Sequence, residues 1–363
     1  MSAARMHALV VICLSAVFCP AAQPEELAWA DGQKRGAAIH LDHAIVQVDA
    51  MPRLHSLLVS RHGELLLERY YSGRGPDDLE NVKSVSKSIL SALVGIAIEQ
   101  GILGGVDISV DRYFSELSSV ESRPAKAGIT LEDLLTMRSG LRTTSNRNYG
   151  TWVLSDNWVV SALRQPLEAT PGQEMRYSTG NTHLLSAILT TASGRSTLEF
   201  AREVLAEPLG FELAPWPRDP QGIYFGGNDM RLTPRQMLAF GELYLNAGRR
   251  GERQIVPASW VDASLRPRSK SPHGEARYYG YGWWICTLAG YQVPHAWGHG
   301  GQFIMLVPEL DLVIVTTSSA NAGEEAHDHA NRVYQLLQQI VHLAGTAPST
   351  PTAIDETVAH LRR

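Results

Sequence analysis

The chain has 363 residues, 44% of them hydrophobic, enough for a large core in one domain with an insertion or in two domains. A formal charge of -5 and the lack of any basic run exclude a nucleic-acid binder, whose affinity comes from clustered Lys and Arg. A small neutral or mixed ligand fits that balance better, and no repeat or low-complexity tract points elsewhere.

Residues 1–22 place Arg5 before an apolar stretch at 8–18 and then Cys19-Pro20-Ala21-Ala22, the charged, apolar and small-residue parts of a secretory signal. The stretch is too short to span a bilayer, so the sequence predicts an exported protein, secreted or periplasmic, with a cleaved leader and no stable membrane insertion. Phe18 is bulkier than the residue that lipid attachment at Cys19 favours, which argues against a lipoprotein. Beyond the leader Cys286 is the only thiol, so packing and not a disulfide must hold the fold. Cys286 itself reads as a small hydrophobe in a buried strand.

Residues 57–60 and 64–71 flank Arg61-His62-Gly63 and predict a β-hairpin. A helix follows over 86–100, apolar along its length and closed by Gly101. Just ahead of it stands Ser84-Val85-Ser86-Lys87. Side chains three apart share one helical face, so the Lys87 amine can reach the Ser84 hydroxyl. A hydroxyl is a poor nucleophile without a neighbouring base, and a lysine serves as one only where burial keeps it partly neutral. Free N–H groups at the helix start add positive potential where an acyl oxyanion would form.

From 102 to 225 helical patterns alternate with long loops, clearest at 131–137, 158–164 and 183–192. Residues 171–181, Pro-Gly-Gln-Glu-Met-Arg-Tyr-Ser-Thr-Gly-Asn, read as a turn that presents Tyr177. Trp152 and Trp158 fall just before it and fit core packing, while the motif resemblance given below implies substrate contact there as well. After Gly226-Gly227 an amphipathic helix spans 234–246. Three consecutive strands are predicted at 281–287, 299–307 and 312–317, the second opened by His299-Gly300-Gly301, and a closing helix at 333–341. His327-Asp328-His329 looks metal-like, but helical positions two apart point away from each other, so it reads as a solvated face. The order of strands, helices and strands predicts an α+β fold: an antiparallel sheet flanked by helices with an all-helical region inserted. Its parts are 23–100 and 226–345 for the sheet domain, 101–225 for the helical region and 346–363 for a tail.

The succession Ser84-x-x-Lys87, Tyr177 and His299-x-Gly301 resembles the penicilloyl-serine hydrolase superfamily over residues 50–345. It is most similar to the class C branch, which holds β-lactamases, DD-peptidases, family VIII esterases and 6-aminohexanoate-dimer hydrolases. Residues 134–141, 226–235 and 280–284 carry supporting phrases. The resemblance implies a β-lactamase/transpeptidase-like fold with Ser84 as nucleophile, Lys87 as base and Tyr177 as the group that passes a proton to the leaving group. It implies an oxyanion hole from the main-chain N–H of Ser84 and Gln302. His299 would orient substrate or the Tyr177 hydroxyl, Gly301 would let the strand approach the ligand, and Thr179 and Asn181 would line the groove. Ser86 and Ser88, with no lysine three residues on, are packing groups.

Two departures bear on substrate. Thr179 stands where the Tyr-x-Asn motif has asparagine, and His299 where β-lactamases have lysine. Both point to the esterase and aminohexanoate-hydrolase side. The sequence therefore predicts an exported serine hydrolase of small carboxylic esters or linear amides, without metal or cofactor. β-Lactamase or DD-peptidase activity is the second enzymatic reading. A non-catalytic binding or sensor module is the rival of another class, and the oligomeric state stays open.

Overall fold

The computed structural model describes residues 51–114, 128–272, 277–321 and 324–346, with Leu41, Val48 and Lys126. The expected leader and, apart from Thr346, the C-terminal tail lie outside them.

Among the described residues, eight strands form one antiparallel sheet: β1 (Leu54–Arg61), β2 (Glu64–Tyr70), β3 (Ser269–Lys270), β4 (Tyr278–Tyr279), β5 (Trp284–Leu288), β6 (Tyr291–Gly298), β7 (Gln302–Val307) and β8 (Leu312–Ser318). Their order is β2-β1-β8-β7-β6-β5-β4-β3, so β1 pairs with β8 across most of the chain length, Leu58 opposite Val315. The β1–β2 hairpin closes through His62 and Gly63 at φ 53° and 72°, the left-handed pair whose twist matches that of the strands.

Alternation along the strands splits the core. Leu57, Val59, Met305, Val307 and Ile314 face one side, where Val333, Leu336, Leu337, Ile340 and Val341 of α7 (Glu324–Thr346) cover them. Their neighbours Leu58, Ile304, Leu306, Val313 and Val315 face the other side, against α1 (Ser86–Glu99) and α5 (Pro234–Leu245). Close packing there needs Gly241, because a Cβ at that position would lie 2.6 Å from Val313 Cγ1. Between the two parts of the sheet the chain builds a helical region with α2 (Leu131–Leu135), α3 (Trp158–Leu163) and α4 (Thr179–Ser193), followed by α5 and α6 (Ala258–Leu265). The whole is a mixed α/β fold, a large antiparallel sheet flanked by helices.

Three sequence expectations need correction. The last part of the sheet has four long strands, not three, because Pro294 hides β6 by reading as a strand breaker. Pro294 lies opposite Ile285 of β5 and ahead of the β6–β7 register, which begins at His295. α4 starts four residues before the expected 183. Its first N–H groups are satisfied by distant side chains, Thr179 N–H by Ser145 Oγ at 2.8 Å and Gly180 N–H by Thr144 Oγ1 at 2.7 Å, while Ser178 at the N-cap position accepts from Thr144 N–H instead of capping the helix. His329 is not on a solvated face. It is 5% exposed, with Nε2 3.0 Å from Ser318 Oγ.

Candidate active site

Ser84 sits in a tight 3-10 turn, Lys83–Val85, that runs directly into α1. One turn on, Lys87 points back with Nζ 3.0 Å from Ser84 Oγ. Lys87 is 1% exposed, and its amine also reaches Gly227 O at 2.5 Å and Thr179 Oγ1 at 3.4 Å. Burial, the larger effect, pushes the Lys87 pKa down from 10.5 to about 7, against the pull of the Asp229 carboxylate. A lysine so placed exchanges a proton near neutral pH, which an exposed lysine cannot do.

Tyr177 brings its hydroxyl into hydrogen-bond contact with Ser84, which favours the phenolate slightly, but burial dominates and drives its pKa up. The phenol therefore stays protonated. Its ring stacks on Trp284 at 5.4 Å and meets Tyr279 edge-on at 6.0 Å, while Lys87 Nζ lies 5.0 Å from its centroid. Ser84, Lys87 and Tyr177 thus converge, as the motifs predict.

The remaining candidates divide. Thr179 joins the Lys87 cluster and is held by Ser145, Oγ to Oγ1, at 2.9 Å. Asn181 does not: it is 2% exposed inside α4, with Oδ1 accepting from Ser139 Oγ at 3.0 Å. Its two-residue offset from Thr179 on a helix turns it away from the groove. His299, Gly300 and Gly301 form the tight β6–β7 turn, not the start of a strand, with the two glycines at φ 88° and 103°. His299 is exposed on that turn. Gln302 is fully buried, and its side-chain amide bridges the Ser318 main chain, Nε2 to O at 2.7 Å and Oε1 from N at 3.0 Å. The close approach to the nucleophile turn comes at the end of β6, where a Cβ on Gly298 would lie 2.3 Å from Val82 O.

Residues 29–339 match the model of the Beta-lactamase family. The chain belongs to that family. It is 27% identical over 298 residues to a 6-aminohexanoate-dimer hydrolase of Paenarthrobacter ureafaciens, covering 76% of this chain and 74% of that protein. Among solved structures it is similar to EstCE1, a hydrolase with promiscuous acyltransferase activity (TM-score 0.67, 20% identity, 83% of this chain and 97% of that one). It is also similar to the octameric penicillin-binding protein homologue from Pyrococcus abyssi (TM-score 0.64, 19% identity, 88% and 80%).

As a serine hydrolase of the beta-lactamase family, the chain surrounds its lysine with groups that the sequence did not single out by role. Gly227 supplies a carbonyl, and Asn228 Nδ2 donates to Tyr149 Oη at 3.0 Å. Asp229 accepts from Lys83 Nζ at 2.9 Å and from Asn81 Nδ2 at 2.8 Å. The phrase at 226–235 was the available signal, but it marks a turn without saying what the turn holds. Trp152 and Trp158 resolve as core: each indole N–H donates to a main-chain carbonyl, of Trp158 and Val153 respectively, and both pack on Phe225. Ser86 and Ser88 are buried, donating to Lys83 O and Gly282 O at 2.6 Å each. Of the three serines this leaves Ser84 as the one whose hydroxyl meets the lysine, at 3.0 Å against 3.4 Å for Thr179 Oγ1.

Proposed function

We propose that this hydrolase cleaves small carboxylic esters or linear amides through an acyl-enzyme on Ser84. The observation that carries the reading is the buried Lys87 amine 3.0 Å from Ser84 Oγ, with its pKa brought to about 7. Neutral Lys87 takes the Ser84 proton as Oγ attacks the acyl carbon. Protonated Tyr177, next to Ser84, donates to the departing alkoxide or amine and is reprotonated from Lys87. The C–O or C–N bond breaks, the acyl group stays on Oγ, and water attacks it by the reverse relay. The tetrahedral oxyanion is received by the Ser84 N–H, in the turn that leads into α1, and by the main-chain N–H that the motif names, that of Gln302 at the start of β7.

Substrate class rests on His299 and Thr179, which replace the lysine and asparagine suited to a β-lactam carboxylate and side-chain amide. The relative named as a 6-aminohexanoate-dimer hydrolase supports this class. The leader-like residues 1–22 support export to the periplasm or beyond. Turnover of short-chain esters, linear amides and β-lactams by purified wild type and Ser84→Ala tests the reading. Ester or amide turnover that vanishes in Ser84→Ala is expected. A folded wild type that turns over none of the three would instead be a binding module.

A further inference from the structure

Lys83 and Asp229 both hold left-handed backbone, at φ 50° and 61°, a region that side chains other than glycine occupy only when something fixes them there. They fix each other. Lys83 Nζ lies 2.9 Å from Asp229 Oδ1, and Asn81 completes the joint, its Nδ2 donating to the same oxygen at 2.8 Å and its Oδ1 accepting from Lys83 N–H at 3.0 Å. The two-residue ladder of Glu80–Asn81 with Arg231–Leu232 frames them. Lys83 immediately precedes Ser84, and Asp229 follows two residues after Gly227, whose carbonyl receives Lys87. The pair therefore ties the turn that carries Ser84 to the turn that seats Lys87.

The pair also carries charge. Asp229 is the carboxylate whose field favours protonated Lys87, in opposition to burial. A protonated lysine cannot act as a base, and the Lys83 cation placed directly on that carboxylate offsets its field. Other titratable groups around Lys87 are Tyr177, 5.0 Å away at its ring centroid, and Tyr149, which feels Asp229 and bonds Asn228. Thr179 of α4 and the Gly227 carbonyl are uncharged, and the β6–β7 turn contributes His299.

We propose that Lys83 and Asp229 form a charge-compensated clip that holds the Ser84 turn against the Gly227 turn and shields Lys87 from the Asp229 carboxylate. Both are positioning residues, and the proposal rests on the reading of Ser84 and Lys87 given above. Its test is the pH dependence of fluorophosphonate labelling of Ser84 in the full chain, followed by peptide mass mapping. Each variant is compared with the wild-type parent, which carries the same His299 on the β6–β7 turn, so only a shift between proteins is read. Lys83→Met should move the acid-limb midpoint up by about half a pH unit or more, and Asp229→Asn should move it down. Lys83→Arg should keep the parent midpoint, and the double variant Lys83→Met/Asp229→Asn should return close to it. If Lys83→Met does not fold, the downward shift in Asp229→Asn and the unshifted Lys83→Arg carry the test. Label on Ser84 with one common midpoint in all variants would overturn the clip alone. Label on another residue would overturn the nucleophile reading and the clip with it.

Discussion

The main-chain carbonyl of Gly227 stands 2.5 Å from Lys87 Nζ, and no side chain fits at 227 without entering the space around that amine. A Cβ there would come 2.1 Å from Thr182 Oγ1 and 3.2 Å from Nζ. Gly227→Ala must therefore displace the turn or the lysine. We expect kcat to fall about tenfold or more, with a loss of about 1 to 3 kcal/mol in stability from overpacking. Steady-state kinetics beside a denaturant titration checks this. Wild-type kcat in Gly227→Ala would mean that the carbonyl does not position the base.

Lys87 makes the site costly to fold. Its pKa is near 10.5 unfolded and about 7 folded, so between those values the unfolded chain binds more protons and stability rises with pH. The penalty is present in full below about pH 7 and fades as pH climbs toward the unfolded value. Lys87→Met should thus abolish turnover yet stabilise the fold, on the order of a few kcal/mol at neutral pH and less in alkali. Urea unfolding of both proteins at several pH values reads this out. A pH-independent difference would show that Lys87 does not change its protonation on folding.

Tyr177→Phe removes one hydroxyl and leaves the ring on Trp284 and Tyr279. Turnover should drop by about a hundredfold or more with little change in melting temperature. Near wild-type turnover in Tyr177→Phe would make the residue a packing group.

The legible parts of this chain were those where side-chain chemistry or periodicity is local. Ser84 and Lys87 are one helical turn apart, and α1 and α5 end within a residue of their expected limits. β6 was hidden by Pro294, and the start of α4 by caps that come from Thr144 and Ser145, more than thirty residues upstream. Gly227 acts through a carbonyl, which every residue possesses, so no residue type could announce it. Asp229 meets Lys83 across 146 residues, a distance over which one sequence carries no pairing signal. His299-Gly300-Gly301 was misplaced on a strand because two glycines permit close approach and a tight turn alike.

Substrate preference gives a further expectation. Under the proposed reading a β-lactam loses two favourable partners where His299 and Thr179 stand, each worth about 1 to 3 kcal/mol, whereas a short-chain activated ester needs neither. Its kcat/KM should exceed that of a chromogenic cephalosporin by about a hundredfold or more. The reverse ranking, lost in Ser84→Ala, would assign the site to β-lactams.

The most direct measurement of the central claim is peptide mass mapping after treatment with a fluorophosphonate probe. A single adduct on the peptide carrying Ser84 is predicted, absent from Ser84→Ala and strongly slowed in Lys87→Ala. Ser86, buried and bonded to Lys83 O and to Met230 N–H, should carry none. An adduct that persists in Ser84→Ala, or that maps to Ser86, would contradict the assignment of Ser84 as the nucleophile.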